Sequence, residues 1–197
     1  MFLSLPPSAA LLIGSKEIVS ALFGYGQFTE NSVLNSSNAL YYFSFGLPAF
    51  AMIKVFSNFF FANHDTKTPF YISLISVLLN ILISVYFFRS IGFIIIPIAT
   101  TISSWFNTIF LFFILINRGL FSFNNIFISR FLKIIFSSVA MGFFFNYLMD
   151  IFQNQLDYDQ ALKSFYLILS VLLGACFYLL LSYLIKAFKL EDIKLKY

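Results

Sequence analysis

Apolar residues in this chain run for about twenty positions at a time between short polar turns, the length a helix needs to cross a bilayer's hydrocarbon. The runs predict six membrane-crossing helices over about 2–23, 36–62, 69–88, 93–116, 130–149 and 163–186. They are continuously apolar and lack the period-two alternation of outer-membrane strands. The expected fold class is therefore all-α, a polytopic transmembrane helix bundle forming a single domain over 1–197. Gly24, Gly26 and the polar run Thr29 to Ser37 read as a loop, and Gly46 with Pro48 predicts a kink in the second span. His64-Asp65-Thr66-Lys67-Thr68 reads as a turn closed by Pro69, and Arg89-Ser90-Ile91-Gly92 as a tight connection. An acidic loop with Asp150, Asp157 and Asp159 joins the last two spans, and a short charged tail, Lys189 to Tyr197, ends the chain.

Polar residues inside such spans are costly unless they face a neighbouring helix or a wet cavity, so their spacing marks inward faces. Ser73, Ser76, Asn80 and Ser84 share one face of the third span, and Thr100, Ser104, Asn107 and Thr108 repeat the device in the fourth. Packing between helices explains both stripes, and a hydrophilic path is the competing reading. Ala10 with Gly14, Ser138 with Gly142, and Ser170 with Gly174 are small-residue pairs that let backbones approach closely. Lys54 stands well inside the second span with Ser57 and Asn58 one turn on, so it either faces a cavity or snorkels to the interface. A cavity-facing lysine would suit an anionic ligand such as a lipid pyrophosphate, which makes Lys54, Asn58 and Asn80 candidate substrate contacts. Lys16 and Glu17 are adjacent, do not share a helix face, and are expected to mark the outer boundary of the first span.

Composition narrows the class further. The chain is 60% hydrophobic, 21% aromatic and only 10% charged, against roughly 25% charged in an average soluble domain. Its net charge of +4 comes from 12 Lys and Arg scattered at segment ends, so it speaks of topology rather than of nucleic acid. Counting those cations by alternate loops gives eight on one side (Lys67, Arg118, Arg130, Lys133, Lys186, Lys189, Lys194 and Lys196) and three on the other (Lys16, Arg89 and Lys163). Both chain ends are therefore expected in the cytoplasm. The 30 phenylalanines point as much to an AT-rich coding sequence as to any special chemistry. Cys176 lies alone in an apolar run, His64 is the single histidine, and the glycine loop, HExxH and CxxC patterns of nucleotide, zinc and redox sites are missing. No cofactor, no metal and no enzymatic chemistry is expected. The first apolar run has no basic segment before it, which argues against a cleaved signal peptide.

Five pieces in order carry a resemblance: Leu22-Phe23-Gly24-Tyr25-Gly26-Gln27-Phe28-Thr29, Ala39-Leu40, Gly46-Leu47-Pro48-Ala49-Phe50, Lys54-Val55 and Asp65-Thr66-Lys67-Thr68-Pro69. Together they resemble the C-terminal part of the MurJ (MviN) lipid II flippase family, within the multidrug/oligosaccharidyl-lipid/polysaccharide exporter superfamily. The resemblance implies a bacterial cytoplasmic-membrane protein that moves an undecaprenyl-linked peptidoglycan precursor outward by alternating access between two lobes. The six spans here would be that family's last six, and its first lobe, with the essential cavity arginines, has no counterpart in the chain. The chain is therefore expected to be a fragment of a longer protein, a truncated gene product or one piece of a split protein, with membrane lipids, the lipid-linked precursor, the missing lobe or other cell-wall synthesis proteins as partners. The resemblance also implies an apolar groove for a lipid tail between the last two spans, for which Phe143, Phe144, Phe145, Phe177 and Tyr178 are candidates. Alternatives within reach of the sequence are a polysaccharide or drug exporter of the same superfamily and a non-transporting scaffold of cell-wall synthesis.

Overall fold

A computed structural model describes residues 1–121 and 124–187. The tail Lys189 to Tyr197, including three of the counted cations, lies outside the described residues. The regular structure of the described residues is helical: α1 (Leu5–Ile13), α2 (Ser15–Phe23), α3 (Glu30–Ala62), α4 (Lys67–Ile91), α5 (Ile95–Asn117), α6 (Asn125–Ile151), α7 (Gln153–Leu156) and α8 (Lys163–Leu184), with one 3-10 turn at Gly92–Ile94. Four helical stretches among them are long and apolar enough to cross a membrane: Glu30–Ala62, Lys67–Asn117, Phe127–Ile151 and Lys163–Leu184. The second of these is 51 residues long, some 75 Å at 1.5 Å per residue, more than twice the hydrocarbon thickness. It is a hairpin of α4 and α5 folded at Gly92, whose φ of +74° needs a residue without a Cβ.

Two expectations change at the N-terminal end. The first predicted span is not one helix but two of nine residues each, α1 and α2, and neither alone reaches across a bilayer. The break falls at Gly14, where an added Cβ would lie 2.9 Å from the Phe145 ring of α6, so the site admits glycine because that ring is already there. Lys16 and Glu17 accordingly open α2 instead of marking the far boundary of a single span. The polar run from Thr29 is also helical rather than a loop. The Thr29 hydroxyl accepts from the Ser32 backbone N–H at 3.3 Å and Glu30 sits in the first turn, two features that start a helix despite a polar sequence.

The chain divides into two compact units, Met1–Ser37 with Phe123–Tyr197, and Asn38–Ser122. In the first, α1, α2, α6 and α8 pack around Ala21, Met141, Phe145, Met149, Leu167 and Tyr178. Phe145 is the central knob, reaching Gly14 on one side and Gly174 on the other. Gly142 brings α6 against Ile13 of α1, so the small-residue pairs do mark close approaches.

In the second unit the core is Phe60, Ile72, Leu111 and Leu115. The two polar stripes meet: the Asn80 amide donates to the Thr100 hydroxyl at 3.0 Å and to Ser103 at 3.3 Å, and Asn107 donates to Ser73 at 3.3 Å. Both pairs are equidistant in sequence from residue 90, the register of an antiparallel hairpin. The opposite face of α5 addresses α3. Thr101, Trp105 and Thr108 donate to the backbone carbonyls of Tyr42, Phe45 and Ala49 at 2.8, 2.9 and 3.1 Å, in an order that makes α3 and α5 parallel. These carbonyls flank Pro48, which cannot give the N–H a helix interior expects, and side-chain donors from a neighbour support a proline-containing span in hydrocarbon.

Candidate functional site

Three local arrangements carry the chemistry of the chain. The first is an open apolar groove of about 540 Å³ in the first unit, walled by Phe2, Pro6, Ala10 and Leu11 of α1 and its lead-in, Ile18 and Leu22 of α2, Met141 and Phe145 of α6, and Leu167, Val171, Gly174, Ala175, Tyr178 and Leu179 of α8. Of the groove candidates named from sequence, Phe145 and Tyr178 line it. Tyr178 is buried, donates to the Phe2 carbonyl at 2.8 Å and packs its ring 5.2 Å from that of Phe2. Phe144 and Phe177 stack on each other instead, 4.5 Å between centroids, and Phe143 is 76% exposed. Two short helices, α1 and α2, thus supply a wall that the sequence reading gave to the last two spans alone. The signal available was the unusual density of Pro6, Pro7, Ala9, Ala10 and Gly14, small or stiff residues that cannot fill space beside a helix.

The second is a clamp built on Lys163, which the sequence reading treated as a loop cation. Its side chain is 1% exposed. The ammonium donates to the carbonyls of Gly24 at 2.7 Å and Tyr158 at 2.6 Å, and lies 4.4 and 4.6 Å from the ring centroids of Tyr25 and Tyr158. Two carbonyl dipoles and two ring faces replace the water this cation loses. Neighbouring bonds extend the clamp: Tyr25 to Ser164 at 2.7 Å, Ser164 to the Ala21 carbonyl at 2.6 Å, and Tyr158 to the Phe28 carbonyl at 2.7 Å. The segment from Leu22 to Thr29, the richest part of the family resemblance, is therefore held backbone-first against the start of α8.

The third is the turn between α3 and α4. His64, at φ 57°, takes the left-handed position that ends a helix, with Asp65 N–H returning to the Phe60 carbonyl at 2.9 Å. Asp65 then caps α4 through Thr68, accepting from its N–H at 3.0 Å and its hydroxyl at 2.6 Å, while Arg118 at the end of α5 pairs with the same carboxylate at 2.5 Å. The Thr68 hydroxyl and N–H, followed by Arg118, hold the Asp65 carboxyl well below the usual carboxylate range. His64 is thus a backbone element of a turn.

Lys54 and Asn58 lie together on an exposed face of α3, and no described carboxylate pairs with Lys54. Asn80 is elsewhere, on α4, with its amide directed to α5. No group of His, Cys, Asp and Glu among the described residues is arranged to hold a metal ion.

Long apolar helices, polar stripes satisfied between neighbours and a lipid-sized apolar groove define a polytopic helical membrane protein. The family model described as lipid II flippase MurJ matches residues 1–172, and the chain belongs to that family. A probable lipid II flippase MurJ of Rhizobium meliloti (strain 1021) is 40% identical over 119 residues, 60% of this chain and 22% of the relative. The corresponding protein of Thermotoga maritima is 32% identical over 193 residues, covering 98% of this chain and 37% of the relative. A solved structure of lipid II flippase MurJ in an inward closed conformation aligns with a TM-score of 0.77 at 28% identity, over 98% of this chain and 37% of its own. The chain spans a fifth to little more than a third of the proteins it matches.

Proposed function

We propose that this chain is part of the C-terminal lobe of a protein that flips lipid II, the undecaprenyl-linked peptidoglycan precursor, across a bacterial cytoplasmic membrane. The single observation that carries this reading, beside the family, is the apolar groove of about 540 Å³ between α1, α2, α6 and α8. A polyprenyl chain is a run of branched apolar units, and a groove walled by proline, leucine, valine and aromatic carbon suits it without any directed hydrogen bond. Tyr178 and Phe145 form the floor, while the stacked Phe144 and Phe177 brace α6 against α8, and Phe143 faces lipid. Within the second unit, Lys54 and Asn58 offer an unpaired ammonium and an amide one turn apart, which suit an anionic group such as a pyrophosphate. Asn80 holds α4 to α5 through its amide, its carbonyl oxygen accepts from the Ser84 hydroxyl at 3.5 Å, and a substrate hydroxyl would have to share that acceptor.

Alternating access requires a second lobe to rock against, so the activity belongs to the intact protein. The excess of Lys and Arg in alternate loops supports an orientation with both ends of this chain in the cytoplasm. Depleting the intact gene product in cells without another flippase tests the reading. Lipid II then accumulates on the cytoplasmic side, and undiminished translocation would sink it. An immunoblot against the Lys189 to Tyr197 tail in native membranes, read for a product well above the size of this chain, establishes whether the first lobe is fused to it.

A further inference from the structure

Three side chains of α8 donate to main-chain oxygens of the segment that walls the apolar groove. Tyr178 bonds the Phe2 carbonyl ahead of α1 at 2.8 Å, Ser164 the Ala21 carbonyl of α2 at 2.6 Å, and Lys163 the Gly24 carbonyl just beyond it at 2.7 Å. The order is reversed along the two segments, so the wall runs antiparallel to α8. Tyr178 and Ser164 stand fourteen residues apart, about 21 Å at 1.5 Å per residue, and the groove of about 540 Å³ lies in this interval. Neither Ser164 nor Lys163 lines it.

The middle of the wall is fixed by a different helix. A Cβ added at Gly14 would lie 2.9 Å from the Phe145 ring of α6, and one added at Gly142 of α6 would lie 3.1 Å from Ile13. The wall is therefore held at three points, by α6 at its centre and by α8 at its two ends. Between its two donors α8 offers the groove Leu167, Val171, Gly174 and Ala175, and the facing wall is equally apolar. In a bilayer such surfaces have no hydrophobic reason to close on each other, because lipid tails are as apolar as leucine. The spacing between wall and α8 is thus left to the directed bonds at the ends.

That spacing matters to a tail of a particular shape. A polyprenyl chain carries a methyl branch and a double bond in every repeat, so it is wider and stiffer than a straight acyl chain. Its branches gain contact energy only in a slot held at a matching width, since dispersion falls off within an ångström of the optimum. We propose that Ser164 and the hydroxyl of Tyr178 are positioning residues that hold the groove at the width of a methyl-branched chain, and so set its preference for prenyl over straight acyl chains. This rests on the reading of the groove as the tail site. Ser164 acts through the Ala21 carbonyl without touching the tail. Tyr178 touches the tail with its ring and positions the wall with its hydroxyl, two roles that Tyr178→Phe separates.

The test is photolabelling of the full chain in phosphatidylcholine nanodiscs with two uncharged probes at equal mole fraction. One is a diazirine-bearing geranylgeraniol and the other a diazirine-bearing straight-chain alcohol of the same carbon number, and label is read by mass spectrometry on peptides of α1 and α8. The parent is expected to favour the prenyl probe about threefold, Ser164→Ala and Tyr178→Phe to bring the ratio near parity, and Ser164→Thr, which keeps the hydroxyl, to preserve it. Thr101→Val, whose bond lies in the other unit, should leave the ratio as in the parent. Thermal unfolding accompanies each variant, and where Tyr178→Phe fails to fold, Ser164→Ala against Ser164→Thr decides alone. A parent preference that Ser164→Ala and Tyr178→Phe retain, or that Ser164→Thr loses, overturns the positioning role and leaves the groove reading standing. Equal labelling of the parent by both probes, or none by either, removes the groove reading and this proposal with it.

Discussion

The ammonium of Lys163 lies 2.7 Å from the carbonyl oxygen of Gly24, and that bond ties the first loop of the chain to the start of its last helix. Replacing Lys163 with methionine keeps most of the stem but removes the donors, leaving the buried carbonyls of Gly24 and Tyr158 without them. The expected loss is about 2 kcal/mol, an ordinary magnitude for an orphaned buried acceptor, read as a lowered thermal midpoint in detergent. A variant as stable as the parent would show the clamp to be decorative.

Gly24 is the other half of that contact. An added Cβ would sit 2.5 Å from the Ser20 carbonyl oxygen and 3.1 Å from the Lys163 nitrogen, so Gly24→Ala has to push the backbone apart. We expect destabilisation of roughly 1–3 kcal/mol, in the range of an overpacked core. Gly174→Ala, whose nearest neighbour would be 3.5 Å away, serves as the tolerated control.

Asp65 gives the turn between α3 and α4 a defined pH response. Its folded pKa lies below the ordinary value, so the unfolded chain takes up the proton first as acid is added. The stabilisation is complete above about pH 4 and is lost as the pH falls from there toward the depressed folded value. Thermal unfolding between pH 5 and pH 3 should steepen in the parent and flatten in Asp65→Asn; parallel curves would exclude Asp65 as a source of acid lability.

The donors from α5 to α3 predict a graded loss. Thr101→Val, Trp105→Phe and Thr108→Val should each cost about 0.6 kcal/mol and roughly 2 kcal/mol together, typical for hydrogen bonds between membrane helices. Thermal unfolding of the single and triple variants measures it, and a triple variant no worse than one single would show that only one bond matters.

Ala175 sits on the wall of the apolar groove. Ala175→Trp in the intact parent should fill the groove, leave protein abundance unchanged and reduce lipid II translocation at least several-fold. Normal translocation with a filled groove would separate the groove from the substrate path.

Much of this was written in the order of the residues. Length and apolarity gave the five long helices, and the tight connection at Arg89 to Gly92 implied that α4 and α5 are neighbours, while their register shows only in bonds such as Asn80 to Thr100. The helix break at Gly14 was not readable, because glycine and serine are tolerated in spans and the ring that leaves no room for a Cβ there belongs to a phenylalanine 131 residues later. Lys163 misled for a related reason: a lysine at the head of an apolar run looks solvated, and its partners are carbonyls, which every residue has. The start of α3 was placed six residues late because Asn and Ser dominate there, whereas one threonine cap decides the matter. For the groove, helix count could name the last two spans but not the short α1 and α2 that complete its wall.

The bonds from Thr101, Trp105 and Thr108 end on main-chain oxygens, so the contact is written in only one of the two helices. Substitutions at Tyr42, Phe45 or Ala49 leave the acceptors in place, while those on α5 erase a donor. Such a lock leaves the side chains of one partner free to vary as far as these bonds are concerned, while the other has to keep its donors.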